Sequence, residues 1–278
     1  MENPNLCVIC GKKADATGSH IIPANLIKNC VGSRYYEESF EIDLLNRNTN
    51  MFLGRSNPLS FPENNSELGN IPMSETHHYV VDNILCTKCE AELGKIEGFI
   101  YKEFVEKARV DKFRDNFTID KFELNDLIRS NKIKSEMFYC YFYSIILRID
   151  KFTEIHSGKF IIKKEHLKNI LKFLKGYLYE PKTDYATHIK NYGLFVHLKN
   201  LESKNNTLSQ VNVLQHPIFN LCEFNLIFYS VIEFGNPFSD YINRIDDEKF
   251  NVLSNSYHLE NLFYKNYVEY CNSINIKK

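Results

Sequence analysis

Hydrophobic positions change their period along the chain, and that change lays out the elements. Leu93, Ile96, Ile100 and Phe104 keep a three/four spacing with good helix formers between them, which predicts a helix running on from residue 90. Residues 133–149 are apolar on all sides and predict a buried helix ending at Arg148. Residues 165–179 predict an amphipathic helix, with Leu167, Ile170, Leu171, Leu174 and Leu178 inward and Lys164, Lys168, Lys172 and Lys175 on the other face. Residues 124–130 read as a short helix. Beyond Pro181 the pattern turns to β-branched and aromatic runs, predicting strands at 192–198, 210–214 and 224–234. Asn205-Asn206 and Gly235-Asn236-Pro237 mark turns, and a helix over residues 259–270 closes the chain. The expected class is α+β, a helical segment leading into a small antiparallel sheet with flanking helices, and no internal repeat is present.

Residues 31–76 break this order. Asparagines crowd there, prolines fall at Pro58, Pro62 and Pro72, and no apolar period persists. The stretch reads as a loop-rich insertion, unusual at this length unless it has a function.

Charge narrows the partners little. The 34 basic and 35 acidic side chains nearly cancel to −1, so a nucleic-acid site has to be a local patch. The first residues lack the basic and apolar regions of a signal peptide, and the longest apolar run, residues 137–147, is too short to span a bilayer. A cytoplasmic protein with no membrane partner is expected.

Cysteine spacing then supplies the chemistry. Cys7-Val8-Ile9-Cys10 and Cys86-Thr87-Lys88-Cys89 are two C-x-x-C turns, each pointing two soft ligands at one spot. Together they match a tetrahedral structural Zn²⁺ site, with buried free thiols as the plainer alternative. Cys30, Cys140, Cys222 and Cys271 have no motif and read as core thiols. The expected organisation is a zinc-binding module over residues 1–110 and an α+β domain of unknown role over residues 120–278.

The loop that zinc would pin holds Ser19-His20-Ile21-Ile22-Pro23, and Pro23 keeps His20 on extended backbone. His20 is either a general base or a histidine packed beside the zinc. Asn83 is either a site residue or, after Asp82, a turn residue. His77 and His78 are reserve ligands or solvated loop residues. Glu90 and Glu97 lie two turns apart on one side of the predicted helix. Glu90 would also favour the helix dipole, and Glu97 reads as a surface acid.

The order C-x-x-C, Ser-His, Asn, C-x-x-C-Glu resembles the HNH endonuclease family over about the first 110 residues. The resemblance implies a treble-clef, ββα-metal module in which His20 is the general base, Asn83 supports the loop and Glu90 binds a catalytic Mg²⁺ or Mn²⁺. It implies cleavage of DNA, with RNA also open. Three departures accompany it. Ser19 stands where an acid or histidine ligand is usual, Glu90 where the last histidine is usual, and Asn83 lies closer to the second cysteine pair, so that Val81 falls nearest the usual place. A looser likeness, to bacterial proteins with Ser-His-Ile-Ile-Pro, Leu-C-x-x-C-Glu and a later apolar segment ending in Arg (here Ser144–Arg148), suggests a phage-defence context.

Two other function classes stay open. One is a non-catalytic zinc-stabilised module that binds nucleic acid or protein; the other is a structural partner within a defence complex. The lysines at 164, 168, 172 and 175 fit either a phosphate-tracking surface or an ordinary solvated helix face.

Overall fold

The computed structural model describes residues 6–26, 39–43, 50–54, 80–109, 116–122, 125–157, 161–199, 208–213, 216–221, 224–230 and 241–254. The predicted closing helix, both predicted turns, His77, His78 and the motif-less cysteines Cys30, Cys222 and Cys271 lie outside those residues.

A first, two-stranded sheet joins β1 (Ser19–His20) to β4 (Val80–Val81), with Ser19 opposite Val81 and His20 opposite Val80. Between them in sequence lie β2 (Ser39–Asp43) and β3 (Asn50–Gly54), an antiparallel hairpin. The predicted loop-rich insertion thus contains a paired element. Each arm has only five residues, too few for a period to stand out among the asparagines and prolines.

Helix α1 (Thr87–Ile100) follows, running through a π-helical turn at Tyr101–Val105 into the short α2 (Glu106–Arg109). Next come β5 (Phe117–Phe122) and β6 (Asn125–Ser130), then α3 (Ser135–Ser157) and α4 (Lys164–Tyr179). The remaining strands are β7 (Gly193–Leu198), β8 (Leu208–Val213), β9 (His216–Leu221), β10 (Phe224–Tyr229), β11 (Asn243–Arg244) and β12 (Asn251–Ser254).

Among the described residues these build a second sheet of ten strands in the order β2-β3-β8-β9-β10-β7-β12-β6-β5, with β11 paired to β7. The predicted small antiparallel sheet is therefore corrected to a large mixed one, since β12 runs parallel to β7 while its other partner, β6, is antiparallel. Of the predicted short helix over 124–130, the described residues Asn125–Ser130 are strand rather than helix. Leu127 and Ile128 are both buried, one against each face of the sheet, so β6 has none of the alternation that marks a half-exposed strand.

Strand β7 shows the layering. All six residues are buried, Leu194, Val196 and Leu198 on the helix side and Phe195 in a second cluster with Leu127, Ile227 and Leu253. Helix α3 is buried all round over residues 138–150, as a sequence apolar except for Ser144, Arg148 and Asp150 requires. Aromatic side chains fill the interface. Phe142 meets Phe224 edge to face at 5.6 Å between centroids, and Phe138 stacks on Phe250 at 4.8 Å. The same apolar cluster takes in Cys7, Leu85, Cys89 and Leu93, so the cysteine-bearing end shares a core with the helices. No helix among the described residues is long and apolar enough to cross a membrane.

Candidate metal centre and the residues around it

Local backbone chemistry brings the two cysteine turns together. Gly11 closes the first at φ +71°, its N–H donating to the Cys7 carbonyl at 2.9 Å. The second turn is the N-terminus of α1: Cys86 is the N-cap, and its sulfur accepts from the Cys89 N–H at 3.4 Å. Backbone bonds then zip the turns side by side, from Val8 N–H to the Ile84 carbonyl and from Ala16 N–H to the Leu85 carbonyl, both at 3.0 Å. Asp15 reaches across to cap α1, accepting from the Thr87 N–H at 2.8 Å and the Thr87 hydroxyl at 3.0 Å. Those two bonds hold the Asp15 carboxyl below its ordinary range.

The result is four sulfurs, from Cys7, Cys10, Cys86 and Cys89, all within 4.8 Å of one another, with Cys10 and Cys86 at 3.6 Å. A tetrahedral Zn²⁺ with ligands at about 2.3 Å sets its sulfurs roughly 3.8 Å apart, so the set has the size and softness to hold such an ion. The spacing is far too long for a disulfide, whose sulfurs lie at about 2.05 Å. Electrostatics points the same way. A bond from Cys89 pulls the Cys7 thiol down to about 4, while that shared proton and burial push Cys89 up. Four crowded sulfurs cannot all ionise without a cation among them.

The predicted site residues are distributed around this set. His20, half-buried on β1, follows Ser19, which is fully buried with no hydrogen-bond partner for its hydroxyl. Glu90 sits in the first turn of α1 directly after Cys89, its Oε2 buried without a partner. Asn83 is exposed at φ +59°, where asparagine is among the few residues that sit comfortably, and its N–H donates to the Ala16 carbonyl at 2.9 Å. The neighbouring Asp82 accepts from the Gly18 N–H at 2.6 Å. A turn role accounts for both. Lys164, Lys168, Lys172 and Lys175 are all exposed on α4.

Two residues of the later helices close on this end of the molecule. Arg148, 1% exposed, donates to the His20 carbonyl at 2.6 Å, to the Ser144 carbonyl at 3.2 Å and to the carboxylate of Glu97. One guanidinium therefore ties β1, α1 and α3 together. Glu97, expected as a surface acid, is an internal counter-ion. Burial raises its carboxyl pKa, and Arg148 opposes that rise. At the far end of α4 the Tyr179 hydroxyl donates to Cys89 Sγ at 3.1 Å, and Lys88 Nζ lies 4.9 Å over the Tyr179 ring. An arginine inside an apolar helix was the sequence signal for the first contact. Nothing local signals the second.

A separate cleft of about 510 Å³ opens among residues of β6, β11, β12 and the turn after β11, with Arg129, Arg244 and Lys249 beside Asp247 and Glu248. None of the predicted site residues lines it. Compared with known proteins, the chain matches no family model, no curated protein and no solved structure.

Proposed function

We propose that the chain is a metal-dependent endonuclease of the HNH type, built on a zinc-stapled treble-clef module and acting on DNA. The observation that carries this reading is the cross-tie between two short elements. The strand bearing His20 and the helix bearing Glu90 are fastened to one four-sulfur set and bridged by the Arg148–Glu97 pair. Zinc in that set is structural. His20 takes a proton from water as the water oxygen attacks phosphorus, and the bond from phosphorus to the leaving sugar oxygen breaks, that oxygen taking up a proton from solvent. Glu90, with an unpartnered buried oxygen, offers a hard donor suited to Mg²⁺ or Mn²⁺, which when bound would neutralise charge on the phosphate. Ser19 next to His20 holds a second unpartnered oxygen.

The test is cleavage of plasmid DNA by the zinc-loaded chain with Mg²⁺ or Mn²⁺, beside His20→Ala and Glu90→Gln. Loss of cutting by about 10²-fold or more in His20→Ala, with zinc content unchanged, supports the reading. Equal cutting by all three would trace to a contaminant. Full burial of Ser19 favours a second reading, a non-catalytic zinc-stabilised binding module, and binding without cutting by the wild type would select it.

A further inference from the structure

The lysines of α4 form a narrow stripe that ends on the sulfur set. At 100° per residue, Lys164, Lys175, Lys168 and Lys172 fall within about 80° of one another, and over 1.5 Å per residue they extend about 16 Å. All four are exposed, while Ile170, Phe173 and Leu174 on the opposite face are fully buried. Tyr179 lies in the same stripe one turn beyond Lys175. Its ring carries Lys88, and its hydroxyl binds Cys89. The stripe is thus continuous with the N-terminus of α1.

We propose that this stripe docks the phosphate backbone of a nucleic acid and leads it to the module that holds His20. The proposal rests on the nuclease reading and assigns it a substrate path outside the module. Along a duplex each strand places a phosphate about every 3.4 Å of axis, so a stripe of this length faces roughly five phosphates. Glu165 borders the lysines, and Lys175 pairs with Glu180 at 3.0 Å. That pair is exposed on both sides, worth little, and exchangeable for phosphate. An acidic membrane fits less well. Helices that lie on membranes insert an apolar face, and the apolar face of α4 is already spent on the core. A protein partner fits less well too, because the stripe presents no apolar anchor between its lysines.

The measurement is the salt dependence of binding of a labelled 20-base-pair duplex to the full zinc-loaded chain. Four neutralised phosphates give a slope of log K against log salt of about −3.6, and Lys168→Ala with Lys172→Ala should flatten it by about 1.8 and weaken binding by about tenfold or more. Removing the exposed Lys121 and Lys134, which lie off α4, should leave the slope unchanged. Equal slopes in the two double variants would overturn the proposal, as would retention on acidic phospholipid vesicles without duplex binding. The two readings fail separately. Duplex binding through these lysines without cutting removes the nuclease and keeps the surface, whereas cutting with unaltered affinity in Lys168→Ala/Lys172→Ala removes the surface alone.

Discussion

The cysteine-bearing end and the aromatic sheet-and-helix body hold themselves together by different physics. Around the four sulfurs the order comes from turns, caps and short backbone bonds, and the sheet there is two residues wide on each side. In the body it comes from rings such as Phe104, Phe138, Phe142 and Phe224 in mutual contact, and from strands buried on both faces. An end built this way gains stability from a cation held among its sulfurs; the body needs only to exclude water. Loss of a cation from the sulfurs would therefore loosen the end before it loosened the body.

The largest way to break that contrast is to remove the metal. Zinc-finger peptides draw on the order of 10 kcal/mol or more from their ion. Chelation, or Cys86→Ser, should release the two cysteine turns and β1 while the large sheet persists. Hydrogen exchange would then show fast amides over residues 7–26 and 80–90 and slow ones in β7 and β10. Simultaneous loss of both regions would mean that the shared apolar cluster makes them one cooperative unit.

Arg148 sharpens the contrast because it belongs to both regions. Arg148→Met keeps much of the side chain's bulk but leaves the mostly buried Glu97 without its counter-ion, a loss of up to about 3 kcal/mol. Glu97 must then take up a proton to stay inside. With its pKa raised, the stability it contributes is present at acid pH and lost as pH rises through that raised value. Urea midpoints for Arg148→Met should consequently fall from pH 5 to pH 8 more steeply than those of the wild type. The double variant with Glu97→Gln should remove that extra fall.

His197 gives a smaller, opposite dependence within the body alone. It is fully buried on β7 opposite Asn225, and burial with nearby Lys199 lowers its pKa to about 3. The folded state binds fewer protons than the unfolded chain between about 6.5 and 3, so stability is lost as pH falls through that window. At pH 5 the cost is about 2 kcal/mol. His197→Gln should remove it, seen as a shallower decline in urea midpoint from pH 7 to pH 5.

How far the two regions could be read from sequence follows the same division. The cysteine pairs were legible because a ligand set is written in local spacing, and α4 because its leucines and lysines keep a helical period. The sheet was legible only in part. In β6 adjacent Leu127 and Ile128 face opposite clusters, and β12 is four residues long, so neither offers a period to count. Arg148 and Glu97 stand 51 positions apart, and nothing in the surroundings of either names the other. Contacts of that kind are made by the fold and leave no local trace. The helix N-cap by a cysteine is intermediate: the motif is local, but its role in starting α1 depends on Asp15 from the other turn.

The smallest effect tests the single bond by which α4 touches the sulfur set. A hydroxyl donating to a metal-bound thiolate withdraws charge from it, makes it harder to protonate and slows its attack by oxidants. Burial and the bond to Cys89 both keep the Tyr179 proton in place. Tyr179→Phe deletes that donor and keeps the ring beneath Lys88, so the change isolates about 1 kcal/mol of hydrogen bonding. Zinc affinity by competition with a chromogenic chelator should fall by about fivefold to tenfold, and release under mild peroxide should quicken. If affinity falls only in Tyr179→Leu and not in Tyr179→Phe, the ring's packing under Lys88 is what matters, and the end of α4 supports the metal centre by contact rather than by charge.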